Sequence, residues 1–507
     1  MFRTQQRRLT VVAVAFALCT LALAAVTTDE AALDSSDSRA YVRIALNLLR
    51  YGEFHDSGQL SQDRAAGLLS TYSRRAPGYP LYLAAVFANS SGARSLSGEY
   101  VSDPACEPGA PLRRRVQRAT STIVAATVAG TFLATFAFTA HWPVSVAAGL
   151  LCLMLLPASI HELLAAFLLL GHAVLAALTW RRPRVLTGLA SGLALGLLVL
   201  TKAIFQYWLV AIALVCAVAL WREGGRRQAL RPAFAAMVIM ACAVTLPWMT
   251  RNAIQAGHFG ISGRDGELLA IRAEYGRMTW PEVRGAFAWY LLRQDTSGMG
   301  ARVMRWMEPE RFGYSRFDRG NPDGFYYRAN RRAGAVAAQA DLLNPRWRLS
   351  ANQALRDAVL RQAAADLIRK DWPKHVVLTL AFAARGATGL VSQGCALLPR
   401  QRDDVVGALS RNGCRAAKGI GVLMLPGLAV ASVLWWRRQE FMPAFLLLPI
   451  VFAFGMHAAA THFITRYSRP LIPLVVVAAG LAAHSAWQWH RCLNPSAETA
   501  RRPRQPR

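Results

Sequence analysis

Asp37 lies in the run Asp34-Ser35-Ser36-Asp37-Ser38-Arg39-Ala40-Tyr41, ahead of an amphipathic stretch, Ile44-Ala45-Leu46-Asn47-Leu48-Leu49. A basic knot follows, Arg74-Arg75-Ala76-Pro77-Gly78-Tyr79-Pro80. A carboxylate of this kind can take a proton from a hydroxyl nucleophile, and neighbouring guanidinium groups can hold phosphate bidentately. Ser35 or Ser36 caps a helix whose first turn holds Asp37, and Asp37 and Tyr41, four apart, share one face. Taken alone, an acid in a first turn more often only complements the helix dipole. For Arg74 and Arg75, snorkelling to lipid headgroups weighs evenly against phosphate binding.

Further charges fall at the ends of apolar segments. Lys202 sits in Thr201-Lys202-Ala203, Arg251 follows Pro247-Trp248, and Arg466 and Arg469 lie in Thr465-Arg466-Tyr467-Ser468-Arg469-Pro470. Each alone reads as an interfacial anchor; together they point to an anion held near one membrane face. His161-Glu162 emerges on that same face, Glu162 being either a helix-start acid or a second active-site acid. His55, His258 and His462 are scattered and read as loop histidines. No His-Glu-x-x-His, Walker or dinucleotide motif occurs. No metal ligands are assigned and no cofactor is implied, though a divalent metal is left open.

The elements that must position these residues are membrane spans. Of the 507 residues 54% are hydrophobic and 17% charged, with mean hydropathy +0.25, a balance foreign to a soluble chain of this length. Apolar segments long enough to cross are read at 9–26, 119–140, 144–160, 163–180, 185–200, 203–221, 233–248, 420–436, 441–460 and 471–489. The net charge of +29 sits in short clusters beside these segments, so membrane topology accounts for it and nucleic acid is not a partner. Arg3, Arg7 and Arg8, then Arg181, Arg182 and Arg184, then Arg222, Arg226, Arg227 and Arg231, then Arg437 and Arg438, and finally Arg491 with the 501–507 tail all fall on one side if ten segments cross. Both termini are then cytoplasmic. The stretch 376–392, which carries Arg385, is read as an interfacial helix; counting it as spanning gives eleven. Arg113, Arg114, Arg115 and Arg118 stand on the outer side against the trend, as a solvated or headgroup-binding edge in preference to a substrate site. The first segment also resembles a signal peptide ending at Ala22-Leu23-Ala24; on either reading the loop that follows is translocated.

The expected organisation is an N-terminal membrane module over 1–250 whose first outer loop, 27–118, carries the site. An outer, largely helical region follows over 251–418, with C-terminal membrane helices over 419–490 and a basic tail over 491–507. Of eight cysteines, Cys19, Cys152, Cys216 and Cys242 lie in apolar segments and behave as small hydrophobes. Cys395 and Cys414 flank a polar stretch and would pair if it lies in an oxidising compartment. Cys106 has no evident partner.

The pieces Asp37-x-x-x-Tyr41-x-x-Ile44-Ala45 with Gly52, Arg75-Ala76-Pro77-Gly78-Tyr79-Pro80, Leu200-Thr201-Lys202, Pro247-Trp248-x-x-Arg251-Asn252 and Arg466-Tyr467-x-x-Pro470, in this order, resemble the GT-C superfamily of polyprenyl-phosphate-sugar-dependent glycosyltransferases. The likeness is to its bacterial protein-mannosyltransferase-like and aminoarabinose-transferase-like branch. The resemblance implies an all-α polytopic bundle of about ten (alternatively eleven) transmembrane helices in the bacterial cytoplasmic membrane, with its site on the outer face. It implies a polyprenyl-phosphate-linked sugar donor among membrane lipids, and an acceptor glycan, lipid or protein. The family's acid falls on Asp37, with Asp34 as fallback, as base or acceptor-positioning carboxylate. Arg75, Lys202 and Arg251 would contact the carrier phosphate, with Arg74, Tyr79, Arg466 and Tyr41 completing the substrate site. Glu162 falls near a second acidic position. Ser38 stands where the family often has Glu, and Arg75 where some relatives have Lys, so no particular sugar or metal requirement carries over. The rival class is a transporter or flippase for an anionic lipid; it predicts inverted repeats with broken helices, and none is visible.

Overall fold

The computed structural model describes residues 20–21, 36–58, 60–65, 74–88, 109–156, 160–283, 328–329, 331–332, 334–336, 338, 351–392, 405–437, 442–461 and 465–493. Among these every regular element is helical. In chain order they are α1 (Ser36–Tyr51), α2 (Leu60–Ala65), α3 (Gly78–Ala88), α4 (Ala110–Thr139), α5 (Trp142–Leu155), α6 (Ile160–Arg181), α7 (Val185–Thr201), α8 (Gln206–Arg222), α9 (Arg227–Ala256), α10 (Asp265–Glu274), α11 (Ala351–Lys370), α12 (Trp372–Ser392), α13 (Val405–Arg437), α14 (Ala444–Ala460) and α15 (Ile472–Leu493). Helices at Ala110–Thr139, His161–Arg181, Ala203–Arg222, Gly224–Ala256 and Arg466–His490 are long and apolar enough to cross a membrane, and shorter apolar helices accompany them. The chain is an all-α polytopic membrane protein. Each expected span after the first coincides with a helix; segment 9–26 lies largely outside the described residues, as do Cys19, Cys106 and Cys395.

Small residues and internally satisfied hydroxyls let the bundle close. Gly188, Gly192 and Gly196 repeat every four residues along α7, and a Cβ on the first two would collide with the backbone carbonyls of Ala233 and Met237 in α9. Such stripes let helix backbones approach where lipid offers no hydrophobic drive. In α4 the hydroxyls of Thr127, Thr131, Thr135 and Thr139 each donate to the carbonyl four residues back, at 2.7 to 2.8 Å, so none is left unsatisfied in the apolar layer. Deep in the bundle the Trp208 indole N–H donates to His172 Nε2 at 3.1 Å, and Ser191 Oγ lies 3.0 Å from His172 Nδ1. That imidazole is fully used as a structural cross-link.

Contacts between helix ends sort them onto two faces of the bundle. On one face Arg466, after α14, reaches Asp37 at the start of α1, and Lys202, between α7 and α8, reaches Glu162 in the first turn of α6. On the other, Arg181 donates to the Ala137 carbonyl near the end of α4, Arg226 donates to the Trp180 carbonyl, and Trp487 of α15 packs on His141 between α4 and α5. The clusters Arg181, Arg182, Arg184 and Arg222, Arg226, Arg227 all belong to this second face.

Helices α10 to α12 are tied back to the first face. Asp357 of α11 accepts the Gly266 and Glu267 backbone N–H groups at 2.6 and 3.3 Å, capping α10. The buried Arg272 of α10 donates to the Ala458 and His375 carbonyls, both at 3.0 Å, joining α10 to α14 and α12. Gly413, early in α13, packs on Met154 at the end of α5, while Trp435 near its other end donates to Ser485 Oγ at 3.4 Å. So α9 ends and α13 begins on the same face of the bundle. Within that stretch α12 lies along α13, α14 and the 465–471 turn, burying Phe382 and Arg385 and leaving Trp372, Val376 and Leu380 exposed.

Candidate functional site

Asp37 gains its position from α1. Ala40, Ile44 and Ala45 on the buried side of this helix are no more than 4% exposed, and the helix stops at Gly52, whose φ of +71° and N–H bond to the Leu48 carbonyl form a left-handed terminus. Beyond it the chain folds back, with Asn47 Nδ2 donating to the His55 and Ser57 carbonyls at 2.8 and 2.9 Å. The Pro-Gly-Tyr-Pro knot then starts α3. Gly78 is required there by close approach: a Cβ would stand 2.6 Å from the Thr201 backbone nitrogen and 2.7 Å from the Leu200 carbonyl carbon. That contact brings the Arg75 knot up against the end of α7, one residue before Lys202.

Asp37 is held from two sides. Arg75 Nη2 lies 2.9 Å from Oδ1, and Arg466 Nη1 lies 2.5 Å from Oδ2. Burial pushes the carboxyl up, but Arg466 and Arg75 together outweigh it and hold its pKa at about 2. The carboxylate is therefore ionised at any physiological pH. Arg75 also lies over the Tyr41 ring at 5.3 Å, and Tyr41 meets Tyr79 edge to face at 5.1 Å.

A second ion pair adjoins the first. Lys202 Nζ stands 2.6 Å from Glu162 Oε2, and His161 Nε2 stands 3.4 Å from Oε1. The His161 ring lies 5.8 Å from Tyr41 and 5.9 Å from Tyr79, so aromatic rings bridge the two pairs. On the other side Tyr467 does the same: its ring lies 5.5 Å from Lys202 Nζ and 5.7 Å from the Arg466 guanidinium carbon, and its far neighbour is the stacked His457 ring at 4.6 Å. Arg469 is within electrostatic reach of Glu162, Lys202 and Arg466. The four cations Arg75, Lys202, Arg466 and Arg469 thus face the two carboxylates Asp37 and Glu162, an excess of positive charge in a half-buried place.

Of the residues expected from sequence, Asp37, Arg75, Arg466, Tyr41, Tyr79, Glu162 and Lys202 come together in this constellation. Arg74 turns away and pairs with Glu267 at 3.3 Å. Arg251 is engaged elsewhere, donating to Asn252 Oδ1 at 2.8 Å and stacking over Trp248 at 4.7 Å, with Phe54 beyond. Asp34 and the 395–414 cysteine pair lie outside the described residues or side chains. Sequence reasoning passed over His457, Tyr467 as a shared platform, and Glu267. The signal for His457 was available, a lone histidine in an apolar segment; Glu267 sits in a region with no motif.

No family model and no curated protein matches the chain. Three chains of solved structures do. The archaeal oligosaccharyltransferase AglB from Archaeoglobus fulgidus, solved with an inhibitory peptide and a dolichol-phosphate, is 12% identical at a TM-score of 0.44, over 97% of this chain and 52% of its own. This chain therefore spans about half the length of that protein. ArnT from Cupriavidus metallidurans bound to undecaprenyl phosphate is 15% identical at a TM-score of 0.34, over 98% of this chain and 81% of its own. The same protein in the apo state gives 15% and 0.36, over 98% and 82%.

Proposed function

We propose that the protein is a glycosyltransferase that takes a sugar from a polyprenyl-phosphate carrier at the outer face of the cytoplasmic membrane and passes it to a hydroxyl or phosphate acceptor. The observation that carries this reading is the clamping of Asp37 by Arg75 and Arg466, with Lys202 and Arg469 beside it, on the bundle face opposite the main arginine clusters. By the positive-inside bias, the clustered face is cytoplasmic and the Asp37 face is external. An excess of cations at that depth suits the phosphate of a lipid whose tail stays in the bilayer.

The pairing also suggests how the carboxylate is used. A group with a pKa of about 2 is a poor general base near neutrality, where the best catalytic pKa lies close to the working pH. An arriving phosphate competes for the same guanidinium groups. As Arg75 and Arg466 shift to the phosphate oxygens, Asp37 loses the charges that depress it, and it becomes free to receive an acceptor proton. The acceptor oxygen then attacks the anomeric carbon while the bond from that carbon to the phosphate oxygen breaks, inverting the centre. The proton passes to Asp37, and the carrier monophosphate leaves with its new charge stabilised by the arginines and Lys202. If the acceptor is itself a phosphate, no proton moves and Asp37 only positions it. Among the described residues no three His, Cys, Asp or Glu side chains converge, and both Asp37 oxygens face guanidinium nitrogens. That donor set does not fit a divalent ion, so no step here is routed through one.

Mass spectrometry of envelope glycans and lipids before and after deletion of the gene tests the reading. Loss of one sugar modification, restored by the wild-type chain, is expected and names donor and acceptor; an unchanged envelope under expressing conditions contradicts it.

A further inference from the structure

The second outward charge cluster, at the start of α4, takes no part in the site. Arg114 and Arg118, one helical turn apart, are both exposed, and neither has a carboxylate within ion-pair distance among the described residues. Their placement runs against a casual surface charge. They are the fifth and ninth residues of a 30-residue helix, on its exposed side. They lie on the face of the bundle opposite the other arginine clusters, against the positive-inside bias. And they head a continuous stripe: four residues further on comes the exposed Thr122, then the half-buried Ala126, then the exposed Leu133 and Ala137. The opposite side of the same helix is fully used, with Leu112 and Val116 packed on Val42, Leu46, Tyr79 and Leu83.

Depth decides what such a stripe meets. From Arg118 to the end of α4 at Thr139 the helix rises about 32 Å at ~1.5 Å per residue, close to the ~30 Å hydrocarbon thickness. Arg181, bonded to the Ala137 carbonyl at 2.9 Å, marks the far boundary. With the apolar part of the stripe in the acyl layer, Arg118 falls at the level of the glycerol and phosphate groups of the outer leaflet and Arg114 one turn above.

We propose that Arg114 and Arg118 form a binding site for the headgroup phosphate of an anionic phospholipid in the outer leaflet, on the outer flank of the α1–α3 module that carries Asp37. This rests on the sidedness given above but not on the transferase chemistry, so the two stand or fall separately. The bound phosphate meets both guanidinium groups together. Two arginines near an anionic surface contribute about 1 kcal/mol each, so losing both lowers occupancy by ~10- to 30-fold.

The test is headgroup photo-crosslinking on the full chain in nanodiscs, using a photoreactive phosphatidylglycerol and a matching photoreactive phosphatidylcholine at equal mole fraction. Adduct on the α4 segment around 113–122 is expected from the anionic probe, at least tenfold lower in the double variant R114Q/R118Q and largely retained in R114K/R118K. Both side chains are exposed, so R114Q/R118Q should melt as the wild type does. Equal labelling by the zwitterionic probe, undiminished labelling in R114Q/R118Q, or labelling abolished by millimolar inorganic phosphate overturns the proposal, the last by showing a site for soluble anions.

Discussion

Asp37 and the two guanidinium groups on it make a pair of linked predictions at the level of single side chains. Its folded pKa of about 2 lies below the ordinary 3.8, so the ion pairs contribute stability that is fully present above pH ~4 and is lost as pH falls through about 2. The side chains of Asp37 and Arg75 are 19% and 18% exposed but that of Arg466 is 38% exposed, so solvent screens part of the pairing and the contribution is about 1 to 2 kcal/mol. Melting curves of wild type and Asp37→Asn in detergent should therefore differ most at pH 5 to 7 and converge towards pH 2; a gap that stays constant with pH would show that the charge is not what Arg75 and Arg466 stabilise. These residues were legible in the sequence because arginines at outward helix ends are out of place. Tyr467 and His457 were not, because an aromatic ring beside a span is most often an interfacial anchor and only folding shows that it serves two cations at once. Arg251 shows the converse: its type and position suit phosphate, yet Trp248 and Asn252 engage it elsewhere.

Helix contacts, rather than the charged groups themselves, set the distances in the site. The Gly78 contact with Leu200 and Thr201 is one of these, and the opposing backbone atoms cannot rotate aside. Gly78→Ala should therefore push α3 from α7, destabilising the protein by roughly 1 to 3 kcal/mol and separating Arg75 from Lys202. Transfer activity measured well below the melting point should fall at least tenfold. Activity and melting both equal to wild type would show that α3 does not fix the knot. By contrast Arg74 and Glu267, 42% and 33% exposed, form a surface pair worth at most about 1 kcal/mol. Spans were readable as apolar runs, but their ends were not: α4 starts at Ala110 rather than 119, α9 runs on to Ala256 past 248, and α13 starts at Val405 rather than 420. The packing was less readable: Gly188, Gly192 and Gly196 are plain in the sequence, but which helix they receive is set by the fold.

At the scale of the whole molecule the claim is that two faces of the bundle meet different compartments. Cysteine placed at Arg114 or at Arg182, in a background with the native cysteines replaced, gives the check. A membrane-impermeant maleimide added to intact cells with a permeable outer membrane should label position 114 and spare 182 until the cytoplasmic membrane is opened. The reverse pattern would invert the site. Charge counting alone left α12 ambiguous between ten and eleven spans. The Arg466 contact with Asp37 and the Gly413 contact with Met154 tie distant helix ends to one face of the bundle. The most direct measurement of the central claim is sugar transfer from a polyprenyl-phosphate donor in membranes holding wild type, Asp37→Asn or Arg75→Ala at matched expression. Asp37→Asn is expected to retain donor binding and lose transfer by at least ~100-fold, and Arg75→Ala to weaken donor binding; near-normal turnover in Asp37→Asn would contradict the role given to this carboxylate.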